Sequence, residues 1–82
     1  MNKEWVLFNL KEAQEELNRT ISEIENEEGY DVGEFVVAMG HLYHHLNTAW
    51  NSRKATNEQV KLNSEINFFN WRQFPKDIYL GQ

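Results

Sequence analysis

The run Leu10-Lys11-Glu12-Ala13-Gln14-Glu15-Glu16-Leu17-Asn18-Arg19-Thr20-Ile21-Ser22-Glu23-Ile24 decides the fold class. Its apolar residues Leu10, Ala13, Leu17, Ile21 and Ile24 recur at steps of three and four, so an α-helix gathers them into one stripe and a strand scatters them over both faces. Trp5, Val6, Leu7 and Phe8 widen the stripe upstream, and Glu15 with Arg19 forms an i,i+4 pair on the outer side. The reading is a first helix over about residues 3–27, ending at Gly29. Glu23, Glu25, Glu27 and Glu28 crowd its C-terminal end, where the helix dipole disfavours anions, so that end is expected to fray without a cation or basic partner. The acidic turn around Gly29 is no EF-hand, because that alignment places Ile24 and Phe35 where oxygen ligands are needed.

Working outward, Asp31 with Glu34 makes a capping pair that opens a second helix over about 32–54. Phe35, Met39, Leu42, Leu46 and Ala49 repeat at the same steps, and Val36, Tyr43 and Trp50 add a second row seven apart. The apolar arc then spans about 160°, wider than one neighbouring helix covers. Thr56 with Gln59 is a second capping pair, starting a third helix over about 57–73 that carries Val60, Leu62, Ile66, Phe69 and Trp71. Pro75, the single proline, ends it, and residues 74–82 form a tail apolar enough to dock. The expected architecture is one all-α domain over 1–82: an antiparallel helical hairpin plus a shorter third helix. With apolar surface to spare on the second helix, two hairpins are expected to pair as a homodimer in a four-helix bundle.

Size and composition bound the function. A chain of 82 residues and 9.8 kDa buries about 60–65% of its surface on folding, enough for one small core and no second lobe. Hydrophobic residues at 40% and charged residues at 26% are those of an ordinary folded protein. There is no cysteine, which removes disulfides, thiol chemistry and thiolate metal sites. No apolar run is long enough for a membrane span or a secretory leader, so the expected location is cytoplasmic, with no membrane partner. Residues 1–34 hold ten acids against three bases, while residues 35–82 hold three acids against five bases. The acidic half repels phosphate backbones, so no nucleic-acid partner is expected.

Three features are candidates for function. All three histidines fall in His41-Leu42-Tyr43-His44-His45, and His41 and His45 share a helical face that Glu34 joins from nearly the same bearing. Two imidazoles with a carboxylate suit a divalent transition metal, although this face lies about 100–140° from the centre of the apolar stripe, whereas bundle metal sites point inward. Gly40, in mid-helix, costs ~1 kcal/mol relative to alanine, which suggests a close helix approach or a contact surface with His44, Asn47 and Asn51. The segment Phe68-Phe69-Asn70-Trp71-Arg72-Gln73-Phe74 holds four large rings in seven residues; some can close the core over the hairpin, but a chain this small does not bury all eleven of its aromatics, and rings with an interleaved arginine are interface anchors. Val36, Gly40, Tyr43, Trp50, Phe68, Trp71 and Phe74 are therefore the expected interface residues. No catalytic motif is present and no enzyme is expected. The preferred function is a small non-catalytic protein-interaction or regulatory module with no obligatory cofactor. The alternatives are a metal-binding bundle using His41, His45 and Glu34, and an acidic decoy inhibiting a nucleic-acid-binding protein. Ten asparagines, many at helical positions, suggest polar contacts across an interface.

Overall fold

A computed structural model describes residues 1–62 and 65–81. Among these residues the structure is all-helical: α1 (Lys3–Asn26), α2 (Val32–Asn51), α3 (Asn57–Leu62) and α4 (Glu65–Trp71), with two long packed helices. The helix expected over 57–73 thus appears as α3 and α4, and its middle, residues 63–64, lies outside the described residues. No described helix is long and apolar enough to cross a membrane.

Side-chain caps set the helix starts. The Asn2 side-chain oxygen accepts the Trp5 backbone N–H at 3.2 Å, and the Asp31 carboxylate accepts that of Glu34 at 3.0 Å. At α3 both halves of a capping box form: Gln59 N–H donates to the Thr56 hydroxyl at 3.1 Å, and Thr56 N–H donates to the Gln59 side-chain oxygen at 2.8 Å. The second helix stops at Asn51, three residues before the sequence expectation. There the Ser52 hydroxyl donates back to the Thr48 carbonyl, while the Arg53 guanidinium and backbone N–H both turn back to the Trp50 carbonyl, at 2.7 and 3.3 Å. These bonds satisfy terminal carbonyls that a longer helix would otherwise use.

The register of the hairpin is antiparallel. The Trp5 indole N–H donates to Ser52 Oγ at 2.7 Å, Asn9 Oδ1 meets His45 Nδ1 at 3.3 Å, and Glu16 faces His41. Asn2 ties the open end: its backbone N–H donates to the Arg53 carbonyl, and its side-chain amide donates to the Ala55 carbonyl and to Asn57 Oδ1.

The seam between α1 and α2 is small and polar. From α1 it buries Asn9, Ala13, Glu16 and Thr20; from α2 it buries Ala38, Thr48 and Ala49. The only buried apolar residues among those described are Ala13, Ala38 and Ala49. On each helix the seam-facing row is rotated by about 70–80° from the apolar stripe, taking about 100° per residue. The stripe therefore faces out: Leu10, Leu17, Ile21 and Ile24 are 42–51% exposed.

The C-terminal segment docks on another side of α2. The Asn47 amide donates to the Arg72 carbonyl at 2.9 Å, and the Asn51 amide donates to the carbonyls of Trp71 and Gln73 at 2.8 and 2.6 Å. Asparagine at helical positions, a poor choice by propensity, supplies donors that reach a neighbour's backbone. The tail is held by Phe74 against Tyr43, ring centroids 5.2 Å apart, and by Asp77, which accepts the Trp50 indole N–H at 2.9 Å. Beyond it Tyr79 and Leu80 remain exposed.

Candidate functional site

The seam's offset places two half-stripes side by side on one face of the hairpin. Leu7, Leu10 and Leu17 from α1 and Leu42 and Leu46 from α2 line a shallow groove of about 550 Å³ floored by Ala13 and rimmed by Lys11 and Gln14. It is apolar, open and flanked by solvated residues, which is the chemistry of a helix-docking surface. Small residues at Ala13, Ala38 and Ala49 let the helices close on each other without consuming the leucines.

Two measures show how open the single chain is. The accessible surface is 6550 Å², whereas a compact monomer of this mass exposes roughly 5,200 Å². The radius of gyration is 14.5 Å, against roughly 12 Å for a compact chain of this length.

The histidines sit on the seam and behind it. Because the seam runs along the flank of the apolar stripe, His45 points at α1 and meets Asn9, which is 2% exposed and also donates to the Trp5 carbonyl at 3.1 Å. His41 Nδ1 lies 3.6 Å from the Glu16 carboxylate. Glu16 is buried and also accepts from the Arg19 guanidinium, which is held above its ordinary pKa first by that hydrogen bond. Arg19 thus pairs with Glu16, where the sequence suggested Glu15, because Glu16 is the acid on the seam side. Glu12, Glu15 and Glu16 share a cleft of about 270 Å³ with Arg19, His41 and His45.

Glu34 is placed elsewhere. Its carboxylate gathers with those of Glu23 and Glu27, oxygens within 4.8 Å of one another, and no other described set of three potential ligands converges so closely. His41, His45 and Glu34 are therefore not brought together. Desolvation by its neighbours first, then Asp31, Glu27 and Glu23, hold the exposed Glu34 carboxyl above its ordinary pKa. Solvated acids at the C-terminal end of α1 repel one another and the helix dipole, and nothing else at this turn points to a cation.

The expected interface residues are mostly engaged within the chain. Tyr43 packs on Phe74, Trp50 bonds Asp77 and lies under the Arg53 guanidinium at 3.9 Å, Phe68 packs on His44 with centroids 4.9 Å apart, and Trp71 meets Trp5 edge-on at 6.2 Å. Val36 remains exposed. The close approach expected at Gly40 is not made by the described residues: none of them lies within 4 Å of the position a Cβ would take. What the sequence reading did not single out are the polar joints Asn9 and Ser52; Glu16, with Glu12 and Glu15, was within reach as a carboxylate that an antiparallel first helix brings to the histidines. The usable signal was asparagine in helix interiors, each needing a partner. Compared with protein-family models, with curated proteins and with solved structures, the chain matches none of them.

Proposed function

We propose that this chain is a small, non-catalytic protein-interaction module whose working form is a homodimer, two hairpins joined through their leucine faces as a four-helix bundle. The observation that supports it is the mismatch between a seam of alanine, asparagine and threonine and an outward stripe of leucine and isoleucine. The excess surface, roughly 1,300–1,400 Å² over a compact monomer, exceeds the ~800 Å² per partner of a standard interface. A second copy is the occupant that fits. Its own groove offers the same chemistry, and a two-fold arrangement sets the acidic α1 against the partner's less acidic α2, which lowers like-charge repulsion.

Sedimentation equilibrium from micromolar to millimolar concentration tests this. The expected species has twice the 9.8 kDa chain mass, and Leu10→Glu and Leu46→Glu give monomers that keep their helical circular dichroism. A wild-type chain that sediments as a monomer throughout, or glutamate variants that still dimerise, overturns the proposal.

A second reading, metal binding at the seam, draws on the single cleft shared by His41, His45, Glu12, Glu15 and Glu16. The competing Arg19–Glu16 pair weighs against it. Zinc titration followed by the imidazole resonances decides it: saturable shifts that His41→Ala abolishes support the metal, and no saturation removes it.

A further inference from the structure

The C-terminal segment docks on α2 without closing against it. Between them lies a cleft of about 560 Å³, within the usual range for small-molecule sites. It is distinct from the leucine groove, and its chemistry differs. Gly40, His44 and Asn47 come from α2, Phe68 and Arg72 from α4, and Phe74 closes one end against Tyr43.

Three observations define what fits. The walls present aromatic rings from both elements, so a planar group can stack or meet them edge-on. No carboxylate lines the cleft, and no described acid forms an ion pair with Arg72, whose guanidinium instead lies 5.1 Å from the Phe68 ring centre. In a chain of net charge −5 this is a local excess of positive charge. Finally, His44 Nδ1 is buried with no hydrogen-bond partner, and the bare Gly40 backbone leaves open space nearby. The missing Cβ at Gly40, a cost to the helix, leaves room for the occupant.

We infer that this cleft binds a small aromatic carboxylate, its ring among Phe68, Phe74 and Tyr43 and its carboxylate on Arg72, close to the His44 ring. Arginine's planar fork matches a carboxylate. Burial, followed by His45, Arg72 and His41, depresses the His44 pKa in the free protein; an arriving carboxylate offsets that positive field and raises it.

The experiment is a titration of the full chain with 2-naphthoate, followed by the Gly40 amide and His44 ring resonances, with uncharged 2-naphthamide as the matched comparison. Saturable shifts at both reporters are expected, with a Kd below about 1 mM for the acid and binding at least about tenfold weaker for the amide. The His44 ring moves toward its protonated shift on binding. Arg72→Gln erases the preference for the acid, and Gly40→Leu, a better helix former with room for its side chain, blocks both ligands without loss of helicity. No saturation by the acid, saturation centred on Leu10 and Leu46, or an Arg72→Gln variant that keeps the preference overturns the assignment.

Discussion

Replacing Leu17 by alanine separates a surface leucine from an interface leucine. Leu17 is 46% exposed in the single chain, so a partner that covers it completes a burial already half made. Full burial of a leucine side chain contributes about 1.5–3 kcal/mol, and the exposed 46% accounts for about 0.7–1.4 kcal/mol of it. A two-fold dimer loses this twice, about 1.4–2.8 kcal/mol, which weakens the dimer roughly 10- to 100-fold. Sedimentation equilibrium reads that change as a shift in the concentration at which half the chains are paired. Phe69→Ala is the comparison, because Phe69 is also exposed but lies on α4, away from the leucine groove. A Leu17→Ala dimer weakened less than about threefold, with helicity intact, or an equal loss in Phe69→Ala, refutes the reasoning that the leucine stripe is the interface.

Three further outcomes follow from named contacts. Ser52→Ala leaves the Trp5 indole N–H without its 2.7 Å acceptor and costs about 1–2 kcal/mol, lowering Tm by roughly 5–15 °C in calorimetry; a fall under 2 °C, about a quarter of a kcal/mol at this size, contradicts the bond's importance. Burial first, then His45, Arg72 and His41, hold the folded pKa of His44 below the ordinary 6.5, so the stability it contributes is present above that value and lost as pH falls through the folded pKa. Trp71 fluorescence should report loosening of the C-terminal segment on acidification, and His44→Gln should flatten that dependence; an unchanged profile in the variant contradicts it. Glu34 has a raised folded pKa, so the sign reverses: its relative stability is present below the unfolded value of 4.5 and is lost as pH rises. Glu34→Gln therefore raises Tm at pH 7, with the gain vanishing in acid; a lower Tm at neutral pH shows that the carboxylate is needed there.

Much of the fold was legible because its signals are local. The three- and four-residue steps from Leu10 to Ile24 make a helix in any context, and the Asp31–Glu34 and Thr56–Gln59 pairs cap by chemistry confined to four residues. Which face each helix turns to its neighbour is a tertiary matter, and there the apolar pattern misleads. Hydrophobicity points the stripe of Leu10, Leu17 and Ile21 at α2, yet Ala13 on the flanking row permits the closer approach, and Asn9 and Glu16 beside it find polar partners across the seam. That rotation brings His45 onto the seam and His41 to Glu16. It leaves Glu34 with the acids at the turn. The aromatic residues from Phe68 to Phe74 were legible as anchors and as rings able to close over the hairpin, but the residues of α2 that hold them were not, since pairings such as Asn51 with Trp71 span a separation that no local pattern encodes.

The central claim is that the outward leucine face is covered by a second copy. Isotope-filtered NOE spectroscopy on an equal mixture of ¹³C-labelled and unlabelled chains tests it at the level of single methyl groups. Intermolecular cross-peaks among Leu10, Leu17, Leu42 and Leu46 are predicted. A spectrum with no intermolecular peaks at millimolar concentration, or with peaks confined to the C-terminal aromatic residues, contradicts it.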